Sequence, residues 1–210
     1  ETVRKIEQFA FAYNSTLTHI EIPKSVTVIS TEIVNGASLP DDEAFIYARN
    51  PDGSEDKTNL ICYGGANKNP VIPEGVTTIG YRAFWNNKLL SVEIPNTVTT
   101  IEDGAFSQNN LTHIDIPDSV TSLDGNAFND NMLADEDAFI YARKAGGGED
   151  PTTIIGYGGA NRTNVVVPAG VLTIGVSAFF SCNISKITLP DGLTTIGIKA
   201  FEFNNLTELE

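Results

Sequence analysis

Residues 111–131, LTHIDIPDSVTSLDGNAFNDN, carry the pattern that decides the fold of this chain. The stretch contains an aliphatic residue followed by proline and, further on, an Ala-Phe pair, and both pairs recur along the chain, most often at a spacing of 22 residues. A unit of this length cannot bury its own apolar face, so copies have to stack, which predicts a solenoid. The recurring pairs are Ile22-Pro23, Ile72-Pro73, Ile94-Pro95, Ile116-Pro117, Val167-Pro168 and Leu189-Pro190, and Ala10-Phe11, Ala83-Phe84, Ala105-Phe106, Ala127-Phe128, Ala178-Phe179 and Ala200-Phe201.

Inside one unit, the alternation of Ile114 and Ile116 is typical of a strand with both side chains turned inward. Pro117 ends that strand because it has no N–H to donate to a neighbouring strand. Val120 and Phe128 are expected to return to the core from the rest of the unit. The predicted inward set includes Ile22, Ile94, Phe84, Ile114, Ile116, Phe106, Phe128, Phe179 and Leu189.

A longer period of 94–95 residues is superimposed on the short one. AFIYAR occurs at residues 44–49 and 138–143, and YGGAN at 63–67 and 157–161. We divide each long unit of about 50 residues into a normal unit and a longer one with a loop, which gives nine ribs, a rib being one turn of the solenoid. The predicted strands lie near Leu17, Phe45, Val71, Leu89, Leu111, Phe139, Val165, Ile184 and Leu206.

The AFIYAR segments leave two structures open. We expect each to form a strand in register with the short ribs, with residues 50–57 and 144–150 projecting as loops. The alternative is a β-hairpin outside the solenoid, in which residues 45–49 pair with residues 60–63.

The consensus LxxIxIPxxVxxIxxxAFxxN resembles the BspA-type bacterial leucine-rich repeat, and the resemblance covers essentially the whole chain. Ile33-Val34 in place of Ala-Phe and the AFIYAR ribs depart from it. The resemblance implies a mostly β, right-handed solenoid with one parallel concave sheet of about nine short strands. It also implies a secreted or cell-surface protein that binds host proteins, matrix or other cells. We expect residues 1–210 to form one domain, cut within a repeat at both ends.

Composition limits the partners of this chain. The 13 basic and 27 acidic residues give a net charge of −14, which disfavours nucleic acid and anionic lipid as partners. Gly, Pro or Thr interrupt the apolar runs, so we expect no membrane insertion. A monomer is expected.

Metal and catalytic sites are not predicted, and no cofactor is expected. His19 and His113 occupy the same repeat position, with Glu21 and Asp115 two residues on, but about four ribs, or roughly 19 Å, separate them. Residues 50–56 lack the glycine and the final glutamate of a calcium loop. Cys182 stands where other ribs have asparagine and is interpreted as structural, and we expect no disulfide with Cys62. No nucleophile motif or zinc-protease motif is present.

Two surfaces are candidates for binding a protein or, alternatively, a glycan or cell wall; a third hypothesis is a structural spacer. The first surface is a mostly acidic column of outward strand positions. The second is a turn edge, where aromatic residues stand at positions that are polar in sibling ribs. We favour the column, because a rigid sheet displays its side chains. The column comprises Glu21, Ser91, Glu93, His113, Asp115, Lys186, Thr188, Glu208 and Glu210, and the turn edge comprises Tyr13, Trp85, Phe180 and Phe203.

Overall fold

A computed structural model describes residues 3–209 as a β-solenoid of about nine turns. This part of the chain consists of strands, turns and extended segments, without a helix. Each rib has three segments, and the equivalent segments of successive ribs form three rows. The first row follows the LxxIxIP pattern, the second row follows the Thr-Ile pattern, and the third row contains Ala-Phe. The solenoid fold predicted from the repeat is confirmed.

The second row holds one strand from each of the nine ribs, and these strands pair in parallel within three groups, which are separated where a hairpin enters the row. In one ladder Asn59 pairs with Thr78, Thr78 with Thr100 and Thr100 with Ser122. The second-row strands are β1 (Lys5–Ile6), β2 (Val28–Ile29), β4 (Glu55–Tyr63), β5 (Thr78–Ile79), β6 (Thr100–Ile101), β7 (Ser122–Leu123), β9 (Glu149–Tyr157), β11 (Thr173–Ile174) and β13 (Thr195–Ile196).

The first row is less regular than the second. Its regular strands are β10 (Val165–Val166), β12 (Lys186–Thr188) and β14 (Glu208–Leu209), which pair in parallel. Elsewhere it contains isolated parallel bridges, such as Val71 with Glu93. The parallel pairing therefore extends over four sheets rather than one continuous first-row sheet. The β-branched Thr-Ile pairs favour strand pairing in the second row.

The AFIYAR segments form the first strands of two β-hairpins, β3 (Phe45–Arg49) and β8 (Phe139–Arg143). β3 pairs antiparallel with β4, with Phe45 opposite Tyr63 and Arg49 opposite Glu55, and β8 pairs with β9 in the same way. The prediction of strands in register with the short ribs is wrong. Because β4 and β9 also belong to the parallel second row, the hairpins are part of the solenoid rather than separate from it.

The hairpins form because the chain reverses within five residues. In the first hairpin the Asn50 N–H donates to the Ser54 carbonyl, and Gly53 adopts a φ of +83° that suits glycine. In the second, Lys144, Gly148 and Gly147 take the same roles. Only the turn projects, since residues 55–57 and 149–150 lie inside β4 and β9.

The core contains stacked aromatic rings from successive ribs. The ring centroids of Phe84 and Phe106 lie 4.9 Å apart and those of Phe106 and Phe128 lie 5.1 Å apart, which matches the spacing of paired strands. Of the predicted inward set, the four phenylalanines and Ile114 are buried. The residues before the prolines, Ile22, Ile94, Ile116 and Leu189, are partly buried and pack against the core clusters.

A buried asparagine closes the turn between the third row and the next first row. The Asn109 side-chain amide donates to the carbonyls of Phe84 and Phe106, both at 2.8 Å. Its Oδ1 accepts from the backbone N–H groups of Asn87 at 3.1 Å and Leu89 at 3.0 Å. One carboxamide therefore satisfies polar groups in two adjacent ribs, and Asn131 and Asn204 repeat the arrangement.

Replacement of Asn109 by alanine is expected to destabilise the solenoid by about 3 kcal/mol, because it leaves several buried backbone groups without a partner. Urea unfolding of Asn109→Ala and of the exposed neighbour Asn110→Ala measures the difference. Equal midpoints in the two variants would show that the carboxamide is dispensable.

Candidate functional site

The outward first-row positions that were predicted to form an acidic column fall into separate groups. Glu93 and Asp115 lie on adjacent ribs, whereas Glu21 lies three ribs before Glu93 and Lys186 lies three ribs after Asp115. Glu21, Glu93 and Asp115 are exposed, and their side-chain carboxylates have no ion-pair or hydrogen-bond partner among the described residues. Other members are already engaged: the Lys186 ammonium lies 2.7 Å from Glu208, and its hydrogen bond lowers the pKa of that carboxyl. Ser91 and His113 are exposed, Lys186 and Thr188 are partly buried, and Glu210 lies outside the described residues.

The two histidines bind carboxylates that the sequence analysis did not name. The Nδ1 of His19 lies 2.7 Å from Glu43, and that of His113 lies 2.5 Å from Asp137. Glu43 also accepts the Ile20 N–H, and the histidine and backbone hydrogen bonds lower the pKa of its carboxyl. Both carboxylates lie two residues before a hairpin strand, so the contacts attach the base of each hairpin to the preceding rib.

The turn-edge aromatics do not form one continuous surface. Phe180 and Phe203 contact each other, with ring centroids 5.4 Å apart, and Phe203 is 70% exposed. Trp85 is partly buried about four ribs away, where the Arg82 guanidinium lies 5.2 Å from its ring. Tyr13 is 59% exposed near the other end of the described chain. Four ribs correspond to roughly 19 Å, so a single small ligand cannot reach all four rings.

Two similar clefts lie between a hairpin and the end of the first-row segment in the preceding rib. We call that end of the first-row segment the corner. The first cleft, of about 820 Å³, is bounded by residues 20–24 and the β3–β4 hairpin. The second, of about 410 Å³, is bounded by residues 114–118 and the β8–β9 hairpin. Phe45 and Tyr47 line the first, and Phe139 and Tyr141 occupy the matching positions of the second. The 94-residue period therefore duplicates a concave feature as well as a motif.

Buried arginines hold each hairpin against the neighbouring corner. Arg143, with a side chain only 2% exposed, donates to the carbonyls of Pro117 at 2.8 Å and Val120 at 3.0 Å. Arg49 donates to the Ile22 carbonyl at 3.3 Å. At the tip of the second hairpin, a Cβ on Gly147 would lie 2.0 Å from the Asp118 carbonyl, so only glycine allows this approach. The walls of the clefts are therefore fixed at base and tip.

Carboxylates outnumber cations in both clefts. The first has five carboxylates and three cations, and the second has five carboxylates and one cation. The carboxylates of the first are Glu21, Asp41, Asp42, Glu43 and Glu55, with Lys24, Arg49 and Lys57; those of the second are Asp115, Asp118, Glu136, Asp137 and Glu149, with Arg143.

The described part of the chain contains no metal site with three ligands. No group of three or more His, Cys, Asp or Glu side chains there is arranged to hold an ion. The expectation that the protein binds no metal stays a prediction. The clefts were missed because their walls are distant in sequence, although the acidic residue before each AFIYAR and the arginine at its end recur in both super-repeats.

Both cysteines are buried and free. Cys182 occupies the asparagine position of its rib, and its thiol contacts the Tyr157 carbonyl at 3.8 Å and the Phe180 carbonyl at 3.5 Å. The Cys62 thiol donates to the Asn35 Oδ1 at 2.9 Å. Burial raises the pKa of each thiol to about 12, so neither is a reactive group of the site.

The BspA-type leucine-rich repeat model matches six copies of the repeat, over residues 1–41, 61–137 and 157–210. Since these residues make up most of the chain, the protein belongs to this family. The two unmatched segments, 42–60 and 138–156, contain the hairpins that bound the clefts. No curated protein matches the chain.

Solved structures share the fold. A leucine-rich cell surface protein from Faecalibacterium prausnitzii is 24% identical, with a TM-score of 0.55, over 99% of this chain and 64% of its own. The pneumococcal vaccine antigen PcpA is 20% identical, with a TM-score of 0.57, over 99% of this chain and 56% of its own. The chain therefore spans less than two thirds of each of these structures.

Replacement of Arg143 by methionine is expected to detach the second hairpin without unfolding the solenoid, because it removes two bonds to the corner. Hydrogen exchange at β8–β9 should accelerate at least tenfold in Arg143→Met. The exposed neighbour Lys144→Met is the control and should leave exchange unchanged. Acceleration spread over all ribs would contradict a local role.

Both thiols are expected to resist iodoacetamide in the folded protein at pH 8 and to react after unfolding in urea. Folding raises the pKa of both thiols, so the folded protein favours their neutral form. This contribution to the free energy of unfolding is complete below the thiol pKa of the unfolded chain, about 8.5, and declines as pH rises towards 12. Mass spectrometry of the alkylated chain measures the reaction. Labelling of either residue without urea would show that its rib opens readily.

Proposed function

We propose that this chain is a non-catalytic recognition module that binds a protein partner through the acidic column. The observation that supports the proposal most directly is the set of unpaired carboxylates Glu21, Glu93 and Asp115, of which Glu93 and Asp115 lie on adjacent ribs. Such a surface attracts a basic partner and rejects an acidic one.

Membership of the BspA-type repeat family supports a protein-interaction or adhesion role, since leucine-rich repeats are generally binding scaffolds rather than enzymes. One structural neighbour is a cell surface protein and another is a vaccine antigen, which favours a secreted or surface location for this chain. The described residues contain no helix with the length and apolar character needed to cross a bilayer. The partner is a host protein or a protein of a neighbouring cell.

A glycan or cell-wall ligand is the second candidate, and the Phe180–Phe203 pair is the observation that favours it. Aromatic rings with one exposed face stack on sugars, and Phe203 offers such a face. A ligand of this kind would occupy the turn edge at one end of the described chain rather than the column.

Charge reversal at Glu93 and Asp115 is expected to reduce binding to a protein partner at least tenfold, mainly through slower association. The chain is immobilised, and its binding to a panel of purified matrix and serum proteins is measured. Binding to a glycan array is measured in parallel. The comparison variant is Trp85→Ala with Phe180→Ala. Loss of binding only in the aromatic variant, at an unchanged melting temperature, would move the site to the turn edge, and glycan binding alone would replace the proposal.

A further inference from the structure

The two clefts combine the same three features at matched positions of the super-repeat. Each has an aromatic wall from the hairpin strand, Phe45 and Tyr47 or Phe139 and Tyr141, and an excess of carboxylates. Each is bounded by a hairpin, most of which lies outside the family repeat. Aromatic rings and carboxylates together suit a guanidinium or ammonium group.

The second cleft has the stronger attraction for a cation. Its single cation, Arg143, is already bonded to two backbone carbonyls. At the corner of the cleft, Asp118 stands where the first cleft has Lys24. Asp118 lies 3.7 Å from the Arg143 guanidinium, but its side chain is 95% exposed, and Glu136 is exposed, so a ligand can reach both carboxylates.

The first cleft offers an unused donor in addition to its carboxylates. The Arg49 side chain is 7% exposed, and its Nε has no hydrogen-bond partner among the described residues. The matching Nε of Arg143 donates to Val120. A buried guanidinium N–H without an acceptor favours a ligand that brings an oxygen, as the carbonyl of a peptide does.

We propose that the two clefts are paired sites for basic side chains of one extended peptide segment in the protein partner, which rests on the recognition function proposed above. Along the first row, the corners that bound the two clefts are four ribs apart, roughly 19 Å. An extended segment covers that distance in about six residues. A segment with two basic residues at this spacing occupies both clefts, and the second contact then benefits from the first.

A pair of rigid peptides tests the spacing at constant charge. Five prolines between two arginines hold them about 19 Å apart, whereas two prolines hold them only about 9 Å apart. Binding of each acetylated peptide to the chain is followed by NMR titration at physiological salt. The longer peptide is expected to bind at least tenfold more tightly and to shift amides of both hairpins.

Variants of exposed residues assign the effect to the clefts. Asp118→Asn with Glu136→Gln should remove the advantage of the longer peptide. Glu74→Gln with Asp191→Asn, which removes the same charge from exposed positions outside both clefts and outside the acidic column, should leave it unchanged. Lys24→Asp should strengthen binding several-fold by making the first cleft resemble the second.

Three results would overturn the inference. Equal affinity for the two peptides would show only general attraction to an acidic protein. Calcium chloride that shifts the same cleft amides and displaces the peptide would make the clefts metal sites instead. If reversal at Glu93 and Asp115 abolishes partner binding but the Asp118–Glu136 variant has no effect on peptide or partner, the recognition function stands and the clefts are not its sites.

Discussion

The stacking of ribs depends on a hydrogen-bond requirement at one turn. The chain passes from the third row to the next first row through a turn whose carbonyls and N–H groups are buried between neighbouring ribs. Asn109 meets this requirement by donating to Phe84 and Phe106 and accepting from Asn87 and Leu89. The bonds connect one rib to the next at the place where the aromatic rings stack, so polar satisfaction and apolar packing impose the same spacing. Cys182 makes weaker contacts at the equivalent place.

The hairpins add two clefts with aromatic walls to the surface of the solenoid. Ribs of one length stack into a surface of shallow rows, and the column on the first row is of this kind. Where a hairpin interrupts the second row, the hairpin forms a wall that faces the corner of the preceding rib. Arg143 and Gly147 hold that wall through the backbone of residues 117–120, and His113 holds its base through Asp137. The lining side chains are therefore free to vary, as the difference between Lys24 and Asp118 illustrates.

The sequence predicted the parts of the structure that repeat at 22 residues and missed the parts that interrupt this period. Phe84, Phe106 and Phe128 were predicted as core residues because their positions recur, and they are buried. The second-row strands have two residues in the short ribs, too few to show the alternation that identifies a strand from sequence. A register strand was expected at AFIYAR and a hairpin was the alternative, although the Pro-Asp-Gly sequence at 51–53 is typical of a tight turn.

The candidate site was predictable only in part. Exposure of Glu21, Glu93 and Asp115 follows from alternation along a strand. The partners of His19 and His113 lie 24 residues away on a hairpin, a distance that no local pattern encodes. The aromatic positions were chosen because the equivalent positions of other ribs are polar. That comparison predicts which side chains are exposed but not which lie close together, and these rings belong to ribs that are far apart.

The ribs between the two hairpins are interchangeable spacers, and this has a consequence for how the protein can evolve. Unequal recombination between repeats adds or deletes one 22-residue unit in frame, and the stacked core accepts the change because each rib contacts only its neighbours. Every such event would move the hairpins apart or together by one rib, about 4.8 Å, without altering either one. The genome can thus adjust the distance between two binding features in fixed increments while leaving their chemistry intact.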